Sequence, residues 1–255
     1  MIRGLLASLF LLWAVSVEAA PAVIGTPVSG NSGNAATLTP LTISATCPSG
    51  STNVIAVACF GSHKQTAVGV TLTSVTWAGV PMAAVGAAAI GSADSGSYAQ
   101  LYTLNSPTCD GSQHDYVVTP NTTQIFMVGA ILFLKDVNLT APYDTQASAT
   151  GVSTTPATVD VTSTTGDLVV DCVAARNSNT DLVVGAGQTN TAGVTQTTFG
   201  TASSNEEGGQ SYEAGATTTT MSWTAGAASI SWAIVGVSFN PVPTIRHHGA
   251  PRYYQ

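Results

Sequence analysis

Short apolar runs, each closed by turn-forming residues, recur along most of this chain and constrain its fold more than any other feature. Between residues 38 and 239 the runs are rich in β-branched and small apolar side chains, and Gly, Pro, Asn, Asp or Ser separate them. Their apolar residues do not recur at helical spacing, and their length is that of β-strands. The pattern predicts an all-β fold.

The predicted strands are of two kinds, distinguished by how many of their faces are apolar. In residues 41–45 and 220–224 apolar and hydroxyl side chains alternate, as in a strand with one face in water. Four other segments are apolar on both faces: residues 54–59, 125–134, 168–175 and 232–237. We expect the alternating segments to be outer strands and the others to form the centre of two packed antiparallel sheets.

Residues 75–82, with the sequence VTWAGVPM, contain the sharpest local signal. They predict a β-hairpin in which Ala78 and Gly79 form the turn. Pro81 has no backbone N–H, so we expect it at a position where the nitrogen has no partner in the ladder.

A weak repeat relates the two halves of the chain. A Thr-Pro pair, an alternating segment, a Gly turn and an apolar strand precede Cys59, and the same features in the same order precede Cys172. The cysteines are 113 residues apart (172 minus 59), and each half closes on a similar strand, FMVGA at residues 126–130 and AIVGV at residues 233–237. The preserved order favours a duplicated structure over chance similarity.

The repeat and the apparent lack of a linker decide the predicted architecture. No Pro-rich or charged stretch separates the halves near residues 141–156. We therefore expect one two-sheet sandwich domain over residues 20–240, of jelly-roll or lectin-like type, whose halves share one core. Two tandem sandwiches are the alternative.

The two ends of the chain differ from the part between them. Arg3, the apolar residues 5–17 and a small-x-small pattern ending at Ala19 predict a secretory signal peptide over residues 1–19, cleaved after Ala19. Residues 241–255 predict a flexible tail. No segment after the signal reaches the about 20 apolar residues that cross a bilayer. We expect a secreted protein, extracellular or periplasmic, without a membrane span.

Four cysteines in an exported chain allow two disulfides with three connectivities. Cys47 and Cys109 lie in turn-like stretches, and we favour a disulfide between them. It would close a loop of 62 residues (109 minus 47) and stabilise the fold by about 4 kcal/mol on the chain-entropy model. Cys59 and Cys172 lie inside apolar strands, where they either pair or remain buried thiols.

The charge of the chain excludes one class of partner. Only 7% of the residues are charged, and the net charge is −7 with six Lys and Arg in total. A nucleic-acid groove needs clustered Lys and Arg, so we expect no nucleic-acid partner.

Residues that could carry chemistry are present but do not form a catalytic pattern. A glycosidase needs two carboxylates across a sugar, and the candidates are Glu206, Glu207, Glu213, Asp94 and Asp171. Asp171 interrupts an apolar strand, where it is expected to bond a neighbouring group or to face outward. The His residues, among them His63, His114 and the pair His247-His248, lack the spacing of a triad or a zinc site.

We predict no catalytic residue, no metal ligand and no cofactor. Calcium is the alternative, because turn carboxylates can supply its oxygen ligands; the candidates are Asp94, Asp110, Asp144 and Asp181.

A ligand-binding surface is predicted from aromatic and acidic residues outside the apparent core. Trp77, Tyr98, Tyr102 and Tyr212 are expected to be exposed enough to stack on a sugar. Glu206 and Glu207 lie in a polar stretch read as a loop. Trp223 and Trp232 lie on apolar strand faces, so we expect them to be buried in the core.

Three segments together resemble an uncharacterised family of secreted bacterial and phage-associated proteins. They are residues 75–82 (VTWAGVPM), residues 166–171 (GDLVVD) and residues 232–237 (WAIVGV). The resemblance covers roughly residues 41–241 and implies a β-sandwich, but it carries no catalytic residue over. This chain departs from the family pattern at Trp77-Ala78, where an aromatic residue followed by Gly is commoner, and in having Cys59 and Cys172.

Three hypotheses of function follow from these observations. The leading one is a non-catalytic extracellular or virion-associated sandwich that binds a cell-surface glycan or another surface protein, or serves as a structural module. The second is a carbohydrate-active enzyme on a jelly-roll scaffold. The third is self-assembly through exposed strand edges, because few Lys residues are present to block them. The oligomeric state stays open.

Overall fold

The computed structural model describes nine stretches of the chain: residues 19–32, 39–63, 70–91, 96–121, 126–152, 156–177, 182–190, 205–225 and 231–243. Every helix or strand in these stretches is a β-strand, so the prediction of an all-β fold is confirmed. The described residues contain no helix that is long and apolar enough to cross a membrane. The predicted signal peptide and most of the predicted tail lie outside them.

Ten strands form the first half of the chain. They are β1 (Ala22–Asn31), β2 (Leu41–Thr46), β3 (Ile55–His63), β4 (Leu72–Trp77), β5 (Val80–Pro81), β6 (Ala83–Ala84), β7 (Ala89–Ile90), β8 (Ser97–Asn105), β9 (Gln113–Pro120) and β10 (Phe126–Lys135).

Nine strands form the second half. They are β11 (Tyr143–Val152), β12 (Ala157–Thr162), β13 (Leu168–Asn177), β14 (Leu182–Val184), β15 (Thr189–Asn190), β16 (Asn205–Gly209), β17 (Ser211–Ala214), β18 (Thr218–Ala225) and β19 (Ser231–Phe239).

The strands of the described residues form four antiparallel sheets, two from each half. The first inner sheet has the order β1-β10-β3-β8-β6, and the first outer sheet has the order β2-β9-β4-β5. The second inner sheet has the order β11-β19-β13-β17-β15, and the second outer sheet has the order β12-β18-β14. The predicted antiparallel sandwich is confirmed, but it has four sheets where the sequence led us to expect two.

Three hydrophobic cores separate the four sheets. The first core, between the first outer and inner sheets, contains Phe60, Trp77 and Tyr116. The second core, between the second outer and inner sheets, contains Trp223 and Ile234. A central core packs the two inner sheets face to face. Each half therefore forms a sandwich of its own, and the central core is the one that they share.

The strands that were predicted to be apolar on both faces are in the inner sheets. β3 and β10 are neighbours in the first inner sheet, and β13 and β19 are neighbours in the second. Each of them contributes one face to its own sandwich and the other face to the central core. Both faces are therefore buried, which explains why their sequences are apolar on both faces. β2, in an outer sheet, alternates buried and exposed residues, as expected for a strand with one face in water.

The order of pairing is the same in the two halves, so the predicted repeat corresponds to a repeated topology. Cys59 of β3 and Cys172 of β13 occupy equivalent positions, and they are joined by a disulfide across the central core. Gly61 and Ala174, which differ by the same 113 residues (174 minus 61), are also in contact: a Cβ on Gly61 would lie 2.9 Å from the Ala174 Cβ. Equivalent residues that meet each other indicate a local two-fold axis near the disulfide.

Two local predictions are confirmed. Cys47 and Cys109 form the second disulfide, with their Cα atoms 4.6 Å apart. Ala78 and Gly79 connect β4 to β5 with φ of 50° and 78°, which is the two-residue hairpin turn that matches the twist of the strands.

Candidate functional site

The three aromatic residues predicted to be most exposed in the first half are buried. The exposed fraction is 0% for Trp77 and 8% for both Tyr98 and Tyr102, so the expectation of a surface stacking platform there was wrong. Tyr98 and Tyr102 lie four residues apart on β8, and therefore share the face that packs against the first outer sheet. The Trp77 ring meets that of Phe133 edge-on at a centroid distance of 5.0 Å.

The remaining candidates lie in the other sandwich and do not join them. Glu207 is buried and belongs to β16, not to a loop, and Tyr212 is partly buried against the central core. The Glu206 side chain lies outside the described residues. The stretch was read as a loop because it is polar, but Gly208 and Gly209 pair with β13. A Cβ at Gly209 would lie 2.4 Å from the Trp223 ring, so glycine there makes room for the indole.

The candidate calcium ligands are engaged in local hydrogen bonds where they are described. Asp110 accepts a hydrogen bond from the Ser112 amide at 2.8 Å, which lowers the pKa of its carboxyl, and it also lies 3.1 Å from His114 Nε2. Asp144 accepts one from Asn240 Nδ2 at 2.7 Å. Asp94, Asp181 and His247-His248 lie outside the described stretches. Within those stretches no three His, Cys, Asp or Glu side chains are grouped to hold a metal ion.

An open polar cleft of about 710 Å³ lies on the first outer sheet, beside the hairpin turn. Residues of β2, β4, β9 and the hairpin turn line it: Ser44, Thr76, Ala78, Gly79, Gln113, His114, Asp115 and Val117. Ser44, Gln113 and Asp115 are exposed. The outward side chains of these strands include the hydroxyl of Ser44, the amide of Gln113 and the carboxylate of Asp115, so the cleft can both donate and accept hydrogen bonds.

One cross-strand pair in the cleft has a counterpart in the second sandwich. Ser44 on β2 lies opposite Asp115 on β9, and its hydroxyl donates to the Asp115 carboxylate at 2.6 Å. Asp160 on β12 lies opposite Thr220 on β18, whose hydroxyl donates to Asp160 at 2.6 Å. Both pairs join the equivalent strands of an outer sheet, with the carboxylate and hydroxyl exchanged between the strands.

A second polar cluster is buried inside the second sandwich, around Asp171 of β13. The Asp171 carboxylate is 0% exposed. Oδ1 accepts hydrogen bonds from the Ser211 backbone N–H at 2.7 Å and from the Ser211 hydroxyl at 2.9 Å. Oδ2 accepts one from Trp223 Nε1 at 2.6 Å. Burial raises the pKa of Asp171 to about 7, although the bonds from Trp223 and Ser211 act in the opposite direction.

Gln188 connects this cluster to the edge of the sandwich. Its Nε2 lies 2.7 Å from the Ser211 hydroxyl and 3.5 Å from Asp171 Oδ2. Its Oε1 accepts hydrogen bonds from the Ser222 backbone N–H at 2.8 Å and from the Ser222 hydroxyl at 3.3 Å. Asp171, Ser211 and Trp223 are buried, whereas Gln188 and Ser222 are half-buried, so the cluster reaches toward the surface through these two residues.

Sequence reasoning found one member of this cluster and missed the others. Asp171 was noticed because a carboxylate interrupts an apolar strand, and the expectation that it bonds a neighbouring group is confirmed. Gln188, Ser211 and Ser222 are ordinary polar residues in the sequence. Their separation along the chain leaves no local pattern that could have grouped them.

No protein-family model, curated protein or solved structure matches the chain. The function is therefore inferred from the geometry of the cleft and of the buried cluster.

Proposed function

We propose that the protein is a non-catalytic extracellular module, secreted or carried on a virion, that binds a cell-surface glycan through the cleft on its first outer sheet. The observation that carries the proposal is the cleft itself. It is open to solvent, and exposed hydroxyl, amide and carboxylate groups line it. Such groups match the hydroxyls of a carbohydrate, each of which both donates and accepts.

The chemistry of the lining favours a neutral ligand. Asp115 accepts the Ser44 hydroxyl and keeps further lone pairs for a ligand hydroxyl. A hydrogen bond to a charged acceptor contributes more than one between neutral groups. The His114 ring stands edge-on to the buried Trp77 ring at 5.8 Å, so it packs on the inward side of β9 and leaves Ser44, Gln113 and Asp115 as the exposed polar groups of the lining. A nucleic acid would need cations that the lining does not contain.

Two observations support an extracellular location. Both pairs of cysteines are joined, one inside the first sandwich and one between the sandwiches. Disulfides of this structural kind persist in oxidising compartments and are rare in the cytosol. The predicted signal peptide and the resemblance to secreted and phage-associated proteins agree with this location.

The enzyme alternative has less support than binding. Asp171 and Glu207, two of the carboxylates that it would use, are buried, whereas a glycosidase needs both carboxylates in contact with the sugar. The jelly-roll type of the sandwich is part of what we propose for this protein.

Self-assembly is favoured by one specific feature, the edge strand β11. Among the described strands it pairs only with β19, and it contains no Pro, Lys or Arg. Both edge strands have a break in register, between Ile24 and Val28 in β1 and between Tyr143 and Gln146 in β11. Only β1 also carries a proline, Pro27, which discourages edge pairing. Sedimentation at high concentration tests this role, because a purely monomeric protein would exclude it.

The glycan proposal is tested on a glycan array with the purified protein, in the presence and absence of calcium. We expect reproducible binding, weakened about tenfold or more by Asp115→Ala, because a hydrogen bond to a charged group is lost. Asp160→Ala is the matched control, since it removes the equivalent carboxylate from the other outer sheet and should leave binding unchanged.

Three results would change the conclusion. A blank array would leave a structural role as the better proposal. Equal losses in the Asp115→Ala and Asp160→Ala variants would place the ligand elsewhere or indicate a general effect on folding. Binding that disappears without calcium would require an ion that the described carboxylates are not grouped to hold.

A further inference from the structure

We propose that Ser211 and Gln188 react with each other to form an intramolecular ester cross-link with loss of ammonia. The Ser211 Oγ lies 2.7 Å from Gln188 Nε2. The carboxamide carbon is bonded to that nitrogen at about 1.3 Å, so it lies within about 4 Å of the hydroxyl oxygen. This reaction is independent of the proposed glycan binding, since it takes place in the other sandwich.

Asp171 is placed to activate the hydroxyl. Ser211 Oγ donates its proton to Asp171 Oδ1 at 2.9 Å. The Ser211 backbone N–H and the Trp223 indole hold the carboxylate in place at 2.7 and 2.6 Å. Burial raises the pKa of Asp171 to about 7, which suits a group that must accept a proton and later return it near neutral pH. A weak nucleophile such as a serine hydroxyl requires an adjacent base of this kind.

Ser222 is placed to activate the carboxamide. Its backbone N–H can only donate, so the atom of Gln188 that lies 2.8 Å away must be the oxygen. The Ser222 hydroxyl lies 3.3 Å from the same oxygen. Two donors on one carbonyl oxygen form an oxyanion hole, which stabilises the negative charge that develops when the carbonyl is attacked. Gly185 makes room for this contact, because a Cβ there would lie 2.0 Å from Ser222 Oγ.

The atoms of the reaction balance without an added reagent. Ser211 Oγ attacks Cδ of Gln188 while Asp171 takes the hydroxyl proton, and the resulting oxyanion is held by Ser222. The Cδ–Nε2 bond then breaks as Asp171 returns the proton to the departing nitrogen, whose starting position is 3.5 Å from Oδ2. Ammonia leaves by the half-buried side of Gln188, and an Oγ–Cδ ester bond remains.

The first sandwich shows that the fold does not require a carboxylate at this position. Ala58 is equivalent to Asp171, because both precede a cysteine of the disulfide that joins the repeats. Ala58 pairs with Tyr102 on β8. The register of β13 with β17, in which Val170 pairs with Tyr212, puts Ser211 opposite Asp171. A buried carboxylate costs free energy that an alanine does not, so its presence in only one of the two sandwiches points to a chemical role.

The cross-link is tested by mass spectrometry of the purified protein. Trypsin cleaves after Arg176 and Arg246, and residues 177–246 contain both reacting side chains but no Cys, Lys or other Arg before the end. We expect this peptide to be about 17 Da lighter than its sequence requires, the mass of the ammonia lost when the amide nitrogen leaves. A glutamate-specific protease that cuts after Glu206 or Glu207 should leave the two parts joined until hydroxylamine opens the ester.

Matched variants separate the reaction from other losses of ammonia. Ser211→Ala should reduce the cross-linked fraction from most of the protein to none. Ser238→Ala is the control. Ser238 is also buried, and its hydroxyl donates to the Asp167 carboxylate at 2.9 Å, but this hydrogen bond involves no carboxamide that could be attacked. It should keep the mass loss.

Two results would overturn the proposal. One is a wild-type peptide of unmodified mass from protein in which both disulfides have formed. The other is a 17 Da loss that persists in the Ser211→Ala variant, since that loss would come from another residue. Failure of either kind would leave the glycan-binding proposal untouched, because the array measures a different sandwich.

Discussion

The disulfide between Cys59 and Cys172 cross-links the two sandwiches, and its removal gives a stability change that can be worked out in advance. The perturbation is the double substitution Cys59→Ala and Cys172→Ala. The direct loop has 113 residues, but the other disulfide provides a shorter path. That path runs 12 residues from Cys59 to Cys47 and 63 residues from Cys109 to Cys172 (59 minus 47, 172 minus 109).

The chain-entropy model gives about 4.5 kcal/mol for a closed loop of about 75 residues. We therefore expect the free energy of unfolding to fall by about this amount. The two sulfur atoms lie in the central core, and the gaps left by alanine add to the loss.

Equilibrium unfolding in urea, followed by tryptophan fluorescence, measures the effect. Trp77 is buried in the first core and Trp223 in the second, so each sandwich has a reporter. Cys47→Ala with Cys109→Ala is the matched control: it opens a loop of 62 residues inside one sandwich and should cost about 4.3 kcal/mol on the same model. A loss below about 2 kcal/mol for the inter-sandwich disulfide, beside a full loss for the control, would refute the reasoning.

Ala78 and Asp171 provide two further predictions. Ala78 has a φ of 50° in the hairpin turn, a conformation that costs an alanine about 1 kcal/mol and that asparagine tolerates. Ala78→Asn should therefore raise the free energy of unfolding, measured in urea, by about 0.5–1 kcal/mol. An unchanged free energy would argue against strain in the turn. The pKa of Asp171 is raised from 3.8 to about 7 in the folded protein, so the native state binds the extra proton between these values and the free energy of unfolding should fall as pH rises from about 4 to about 7. Asp171→Asn should flatten that dependence, and an unchanged slope in the variant would assign it to another group.

The fold class and several contacts follow from local patterns in the sequence. The length of the apolar runs predicts strands, and the residues 78–79 between two such runs predict a turn, because a turn is decided by a few adjacent φ angles. The neighbouring residues distinguished Cys47 and Cys109, which lie in turn-like stretches, from the two cysteines inside apolar strands. The favoured Cys47–Cys109 disulfide is present. The equivalence of Cys59 and Cys172 indicated a duplicated structure.

The number of layers and the functional groups were decided by tertiary structure. A strand that is apolar on both faces is compatible with two sheets or with four, because alternation records whether a face is buried and not what covers it. For the same reason Tyr98 and Tyr102 could not be recognised as core, since β8 mixes polar and apolar residues on both faces.

The buried cluster illustrates the limit of sequence reasoning most clearly. The sequence by itself determined the strands, the turns and the unusual position of Asp171. Only the tertiary structure brought Gln188, Ser211 and Ser222 around that carboxylate, since strand pairing and sheet packing join residues that lie up to 51 positions apart (222 minus 171). Hydrogen-bond geometry depends on distances of a few tenths of an ångström, and no pattern of residue types along a chain specifies such distances.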